Sequence, residues 1–280
     1  EYRRQRQMCI RDSFKGLQEP VIENLLSGKD TFVIMPTGGG KSMCYQLPAL
    51  LCEGTALVVS PLIALMKNQV DTIRGISADD GIAHVLNSSQ NKTETLRVKQ
   101  DLINGVTKLL FVAPESLAKK DTIDFFKTLK ISFLAVDEAH CISQWGSDFR
   151  PAYKKLAQLR DLLPKIPVIA LTASATPVVV KDIISELKLV DHQHFQSSFE
   201  RNNIFIELDR SPDKLGSIIR RLKQQQKTTI IYCSSRRETE EISAALNANG
   251  LSSTYFHGGL SAHEKQDRLH AWKSNSTPVI

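Results

Sequence analysis

Across 280 residues, no apolar run approaches the ~18 residues that a membrane-spanning helix needs. Cysteine is sparse: Cys9, Cys44, Cys52, Cys141 and Cys233 are scattered, and none forms a C-x-x-C pair. That spacing argues against a disulfide framework and against a zinc cluster, so no zinc is expected here. Reduced thiols and an intracellular home are the corresponding expectation. The opening residues hold Arg3, Arg4, Arg6 and Arg11 where a secretory signal would be apolar. Low-complexity tracts and short repeats are also absent. What remains is a globular composition, 41% hydrophobic and 24% charged. The net charge of +6 leans toward a polyanionic partner without deciding it, because many nucleotide enzymes are mildly basic.

One stretch stands out, Met35-Pro36-Thr37-Gly38-Gly39-Gly40-Lys41-Ser42. The β-branched, apolar run Thr31-Phe32-Val33-Ile34 before it reads as a short buried strand, and residues 43–51 after it can wind as a helix. A strand, a glycine turn and a helix N-terminus form a phosphate cradle. Glycines let backbone N–H groups converge on an anion, and the helix dipole adds partial positive charge. Thr37 through Ser42 would line that cradle. Lys41 would reach the β- and γ-phosphates of a nucleotide, and the Ser42 hydroxyl would ligate Mg²⁺. The strict pattern wants glycine where Met35 stands, but the Gly-Lys-Ser core is intact.

Short apolar segments alternate with helical stretches through the first two thirds of the chain. Strands are predicted at residues 31–35, 56–60, 82–86, 108–113, 132–137 and 168–172, with helices at 62–74, 92–104, 123–129 and 153–163. This is a βαβ pattern, hence an α/β fold with a parallel sheet and helices on both faces. A helix from Pro177 through Leu187 follows, then a polar stretch over 191–203 that reads as a domain boundary. Alternation resumes with strands at 204–208, 228–233 and 252–256 and helices at 214–225, 237–249 and 262–273.

The apolar strand at 132–137 ends in Asp137-Glu138-Ala139-His140. In open parallel sheets ligands bind at the carboxyl ends of strands. Asp137 is therefore placed to share Mg²⁺ with Ser42, and Glu138 to orient or deprotonate an attacking water. Trp145, Phe149 and Tyr153 follow at helical spacing, which fits a core stripe. The residues between them include Gln144, Gly146, Asp148 and Arg150, which fit an exposed loop that stacks bases and meets phosphate. Thr172, Ser174 and Thr176 fit a hydroxyl-capped turn and a nucleotide-sensing linker equally well. At His257-Gly258-Gly259 a DNA-backbone contact and a bare turn stand level.

The residues from Asp137 through Tyr153, Asp-Glu-Ala-His-Cys-Ile-Ser-Gln-Trp-Gly-Ser-Asp-Phe-Arg-Pro-Ala-Tyr, resemble the DEAH motif and aromatic-rich loop of RecQ DNA helicases, a superfamily-two group. Further blocks resemble that family in its own order. Phe14-Lys15-Gly16-Leu17-Gln18 is similar to its adenine-recognising motif, which implies base contacts for Lys15 and Gln18. Ser60-Pro61-Leu62-Ile63-Ala64-Leu65-Met66 with Gln69 is similar to its first DNA-contacting motif, and Ala113-Pro114-Glu115-Ser116-Leu117 to the next. Leu171 through Thr176 resembles the block that links hydrolysis to motion, with His140 as a coupling residue. Two second-half blocks, Ile231-Tyr232-Cys233-Ser234-Ser235 and Tyr255-Phe256-His257-Gly258-Gly259-Leu260, complete the likeness.

The resemblance implies two tandem RecA-like P-loop NTPase lobes, ATP and Mg²⁺, and 3'-5' unwinding of single-stranded and partially duplex DNA in repair and recombination. It also implies a home with the chromosome, in the bacterial cytoplasm and nucleoid or the eukaryotic nucleus. Residues 13–198 are assigned to the first lobe and 199–280 to a second, truncated one. Residues 8–12 resemble a translated sequencing-adapter end, so 1–12 are set aside as non-native or disordered. The β-branched Val279-Ile280 ending reads as the start of a strand, so the coding sequence is expected to continue. The family's later Gln-rich block, with arginines that reach the γ-phosphate, lies outside these residues. Impaired hydrolysis by this stretch alone is therefore expected. A nucleotide-gated DNA-binding module that cannot unwind is the alternative. An unrelated P-loop kinase or transport ATPase would leave the aromatic loop unexplained.

Overall fold

The computed structural model describes residues 13–87, 90–146, 148–198, 200, 204–225 and 227–280. The segment set aside at 1–12 lies outside the described residues. The chain divides into two units, Glu1–Arg201 and Asn202–Ile280.

The first unit is built on seven parallel strands. In chain order they are β1 (Thr31–Ile34), β2 (Thr55–Val59), β3 (Ala83–Leu86), β4 (Leu109–Val112), β5 (Ile131–Val136), β6 (Val168–Thr172) and β7 (Gln193–Gln196). They lie side by side as β3-β4-β2-β5-β6-β1-β7. Among the described residues, α1 (Gln18–Leu26) precedes β1, and six helices connect the strands: α2 (Met43–Leu51), α3 (Ile63–Arg74), α4 (Lys92–Ile103), α5 (Lys120–Lys127), α6 (Lys155–Leu162) and α7 (Pro177–Glu186).

Strand side chains alternate between two cores, as a period of two requires. Val33, Val58, Phe111, Ala135 and Ile169 pack with Val21 of α1, Tyr45 of α2 and Met66 of α3. Ile34, Val59, Val112, Val136 and Ala170 pack on the other face with Leu102 of α4, Phe126 of α5, Leu156 of α6 and Ile183 of α7. Burial on both faces is why these strands read as continuous apolar runs.

β7 falls inside the polar stretch over 191–203, where the sequence reading placed no strand. Its residues pair with β1 from Thr31–Gln193 to Ile34–Gln196. Gln193, His194 and Gln196 are exposed, as an edge strand allows, so no apolar signal marks it. The buried Asp30 fixes this corner. Its carboxylate accepts hydrogen bonds from Val168 N at 2.8 Å, Val190 N at 2.9 Å and the Arg160 guanidinium at 2.8 Å.

The second unit holds α8 (Lys214–Gln224), α9 (Arg236–Ala248) and α10 (Ala262–Lys273), each close to its expected range. Side-chain caps start all three: Asp213 on Gly216 N, Ser235 on Glu238 N, and a Ser261–Glu264 capping box. The three strands expected here are not formed as ladders. Residues 278–280 run between two extended segments, with Thr229 N donating to Pro278 O and Thr254 N to Val279 O. Among the described residues of this unit, Val279 makes isolated bridges to Thr229 and Ser253 in place of ladders. Phe205, Ile206 and Tyr232, apolar enough for a sheet, stand exposed.

Candidate nucleotide and nucleic-acid site

All seven strands are parallel, so every carboxyl end lies on one edge of the sheet. That edge carries the glycine loop after β1, Ser60-Pro61 after β2, Asp137-Glu138 after β5 and Ser174 after β6. The order β5-β6-β1 sets three of these segments side by side.

The loop after β1 turns through positive φ at Gly38 (78°) and Gly40 (83°). Those angles favour glycine, and a Cβ on Gly40 would collide with the Gln18 amide. Gln18 Nε2 donates to Gly40 O at 3.1 Å, and Lys15 Nζ to Gly38 O at 3.3 Å. Lys15 N in turn donates to Gln18 Oε1 at 2.7 Å. The two residues assigned to base recognition are thus built directly onto the phosphate loop. Lys41 Nζ folds back on Met35 O at 3.1 Å. Ser42 stands at the N-cap of α2, but its hydroxyl makes no capping bond. Between Ser42 and Lys41, the loop presents the donor set and the oxygen ligand that a magnesium–nucleotide needs.

Asp137 leaves β5 only 8% exposed. Burial, reinforced by the Glu138 charge, raises its carboxyl from 3.8 to about 6, although Glu138 N and Lys41 pull the other way. Glu138 adopts the left-handed conformation at φ 48°, an unfavourable region for a residue with a Cβ. Its backbone N–H donates to Asp137 Oδ1 at 3.0 Å.

His140 lies 3.4 Å from Glu138 Oε2 and 3.0 Å from Thr172 Oγ1, both through Nδ1. Thr172 Oγ1 donates to Ser174 O at 3.0 Å, so Nδ1 carries the proton toward Thr172. His140, Trp145, Gly146, Ser174 and Thr176 line one open groove of about 500 Å³. The aromatic loop and the hydroxyl-rich block therefore meet, and His140 links Glu138 to their groove. Thr176 also caps α7 by accepting from Val179 N. His140, Cys141 and Asp148 place one ligand atom each within 4.8 Å of one another. Burial pushes the Cys141 thiol up to about 12, and Asp148 lies 3.5 Å from Arg150, so this trio is a poor metal donor set.

The aromatic triplet separates. Trp145 is 74% exposed, and neighbouring Gln144 is exposed with it. Phe149 is half-buried, with Lys154 Nζ 5.7 Å from its ring. Tyr153 does not join the exposed loop: it is fully buried, and its hydroxyl donates to Asp137 O at 3.1 Å. Pro151 starts the 3-10 turn Pro151–Lys154, which aims Tyr153 back under the sheet edge. Arg150 donates through Nη1 to Pro61 O at 3.0 Å, tying the loop to the segment after β2. Ser60, next to it, has a buried hydroxyl with no partner among the described residues. Gln69 of α3 accepts from Gln46 of α2. Spacing gave no sign of these last pairings, though Gln46 is a polar residue in an otherwise apolar helix.

In the second unit His257 Nδ1 accepts from Gly259 N at 3.2 Å, and Nε2 meets Glu240 at 2.9 Å. Its ring also stacks on Tyr255 at 5.5 Å. These bonds support the turn at this position.

The DEAD/DEAH box helicase family pattern matches residues 15–183, and the helicase conserved C-terminal domain matches 211–280. The chain belongs to the DEAD/DEAH box helicase family. Among curated relatives, it is 42% identical over 273 residues to the ATP-dependent DNA helicase RecQ of Pasteurella multocida, covering 96% of this chain and 42% of that protein. The Haemophilus influenzae RecQ is 43% identical over 271 residues, covering 96% and 43%. The chain thus spans about two fifths of the length of these relatives. Among solved structures, Mycobacterium smegmatis Lhr bound to single-stranded DNA and AMP-PNP matches with a TM-score of 0.61 at 19% identity, covering 97% of this chain and 40% of that one. DNA-bound MrfA matches at 0.67 and 15%, covering 94% and 41%. These likenesses show the helicase fold built from RecA-like lobes. The family match removes the kinase and transport-ATPase alternative.

Proposed function

We propose that the protein acts as a RecQ-type ATP-dependent DNA helicase, coupling ATP hydrolysis to 3'-5' movement on single-stranded DNA and to opening of partially duplex DNA. One observation carries the reading. The acidic pair after β5 and the exposed Trp145 loop belong to one continuous segment, which shares a groove with Ser174 and Thr176 of the β6 loop. Both relatives described above bear the RecQ name.

In this reading Lys15 and Gln18 hold the adenine, and residues 37–42 wrap the phosphates. Ser42 and Asp137 would hold Mg²⁺, which when bound neutralises phosphate charge. The donor set fits: the Ser42 hydroxyl makes no capping bond, and Asp137 is a buried carboxylate whose ionisation is costly without a cation. Glu138 orients the water. His140 and Thr172 relay the state of the acidic pair to Ser174 and Thr176. Trp145 and Phe149 stack bases, while Ser60, Pro61, Gln69, Gln144 and Arg150 follow the strand.

The test is ATP turnover with and without single-stranded DNA, alongside strand displacement, in the complete protein. Lys41→Ala should lower turnover by about 100-fold or more, because it removes a charge aimed at the reacting phosphates. Its DNA affinity should change by less than about threefold. Unchanged turnover in that variant would refute the reading. Hydrolysis stimulated by DNA without strand displacement would favour the nucleotide-gated binding module instead.

A further inference from the structure

Resting on that reading, we infer that Tyr153 is a positioning residue for Glu138, acting through the peptide that joins Asp137 to Glu138. This peptide is held on both sides. Its carbonyl, Asp137 O, accepts the Tyr153 hydroxyl at 3.1 Å. Its N–H, on Glu138, is taken by Asp137 Oδ1 at 3.0 Å. The residue so presented occupies a backbone conformation, φ 48°, that a glutamate does not adopt unforced. Strain of this kind persists only where surrounding bonds over-determine it. A rotation of that peptide would swing the Glu138 carboxylate away from its place beside His140.

Tyr153 suits the task because it cannot move alone. Its ring is fully buried between Leu156, Leu159 and the rest of the core beneath β5. Its backbone N–H donates to Arg150 O at 2.9 Å, and Arg150 Nη1 donates to Pro61 O at 3.0 Å. A continuous run of bonds thus joins the segment after β2, assigned to DNA, to the peptide that aims the water-orienting glutamate. It is separate from the His140–Thr172 contact. Helical spacing of Trp145, Phe149 and Tyr153 groups the three aromatics, whereas burial divides them: the first faces solvent and the last faces the catalytic strand.

Tyr153→Phe tests this in the complete protein, since it keeps the ring and removes one oxygen. DNA-saturated turnover should fall about five- to tenfold, the rate equivalent of one lost hydrogen bond. ATP KM and DNA Kd should stay within about twofold, because the hydroxyl is buried and bonded to Asp137 O, out of reach of either ligand. In a Glu138→Gln background the same change should cost nothing further, since Tyr153 acts only through Glu138. Wild-type turnover in Tyr153→Phe would overturn the inference. So would a parallel loss of nucleotide binding, or a full additional loss on top of Glu138→Gln. If the unaltered protein showed no DNA-stimulated turnover, the helicase reading itself would fail, a separate result.

Discussion

Asp137 carries the sharpest physical conflict in the molecule. A carboxylate placed 8% exposed beside a second acid is disfavoured in its ionised form, and its carboxyl titrates near 6. The folded state therefore binds a proton that the unfolded chain, near 3.8, has already released. Stability must fall as pH rises from about 4 to about 6, and the full cost is present at neutral pH. Asp137→Asn removes that cost and keeps an oxygen for Glu138 N. It should raise unfolding free energy at pH 7.5 by an amount on the order of 1–3 kcal/mol while abolishing turnover. Denaturant unfolding at that pH checks it, and an unchanged or lower midpoint for the Asn variant would contradict it. Glu138 shows the same trade in its backbone: a strained φ at the residue assigned to chemistry.

Among the elements, those buried on both faces were legible. β1, β2, β4, β5 and β6 read as strands because both of their faces are apolar, and the glycine loop read as a phosphate cradle because its composition suits little else. β7 was illegible because an edge strand can be polar. The second unit's strands were over-read: apolar, β-branched residues express a preference that becomes a ladder only with a partner. The spacing of Trp145, Phe149 and Tyr153 fits both a core stripe and an exposed loop, and burial divides the triplet between them: Tyr153 is in the core and Trp145 in the loop, a split that spacing does not encode. Long-range bonds, such as Arg150 to Pro61, have no local signature at all.

One such contact sets a pH limit on the first unit. Arg74 at the end of α3 meets His84 Nδ1 at 2.8 Å, and Asp101 of α4 meets Nε2 at 2.8 Å. Burial lowers the His84 pKa below 6.5, the Asp101 bond opposes this, and the charge of Arg74 adds to it. Neutral His84 accepts from Arg74; protonated, it must expel that guanidinium. Its contribution is therefore intact above pH 6.5 and is lost as pH falls toward the depressed folded value. Between about pH 7.5 and 5.5 the wild type should lose more thermal stability than His84→Gln does. Parallel melting series would show it, and identical slopes would remove His84 from the account.

For the whole molecule, the central claim is that triphosphate chemistry and strand handling share the short segment from Asp137 to Tyr153. A net charge of +6 attracts a polyanion but cannot couple it to hydrolysis. Coupling needs a residue that feels the strand and sits on an element attached to the acidic pair. Trp145 suits both conditions: it is 74% exposed, and it lies on the segment that begins at the acidic pair, in a groove shared with His140 and Ser174. The decisive measurement is ATP turnover of the complete protein and its Trp145→Ala variant as single-stranded DNA is titrated. The variant should keep the DNA-free rate while losing most of the stimulation, by about tenfold or more. Full stimulation in Trp145→Ala would contradict the account.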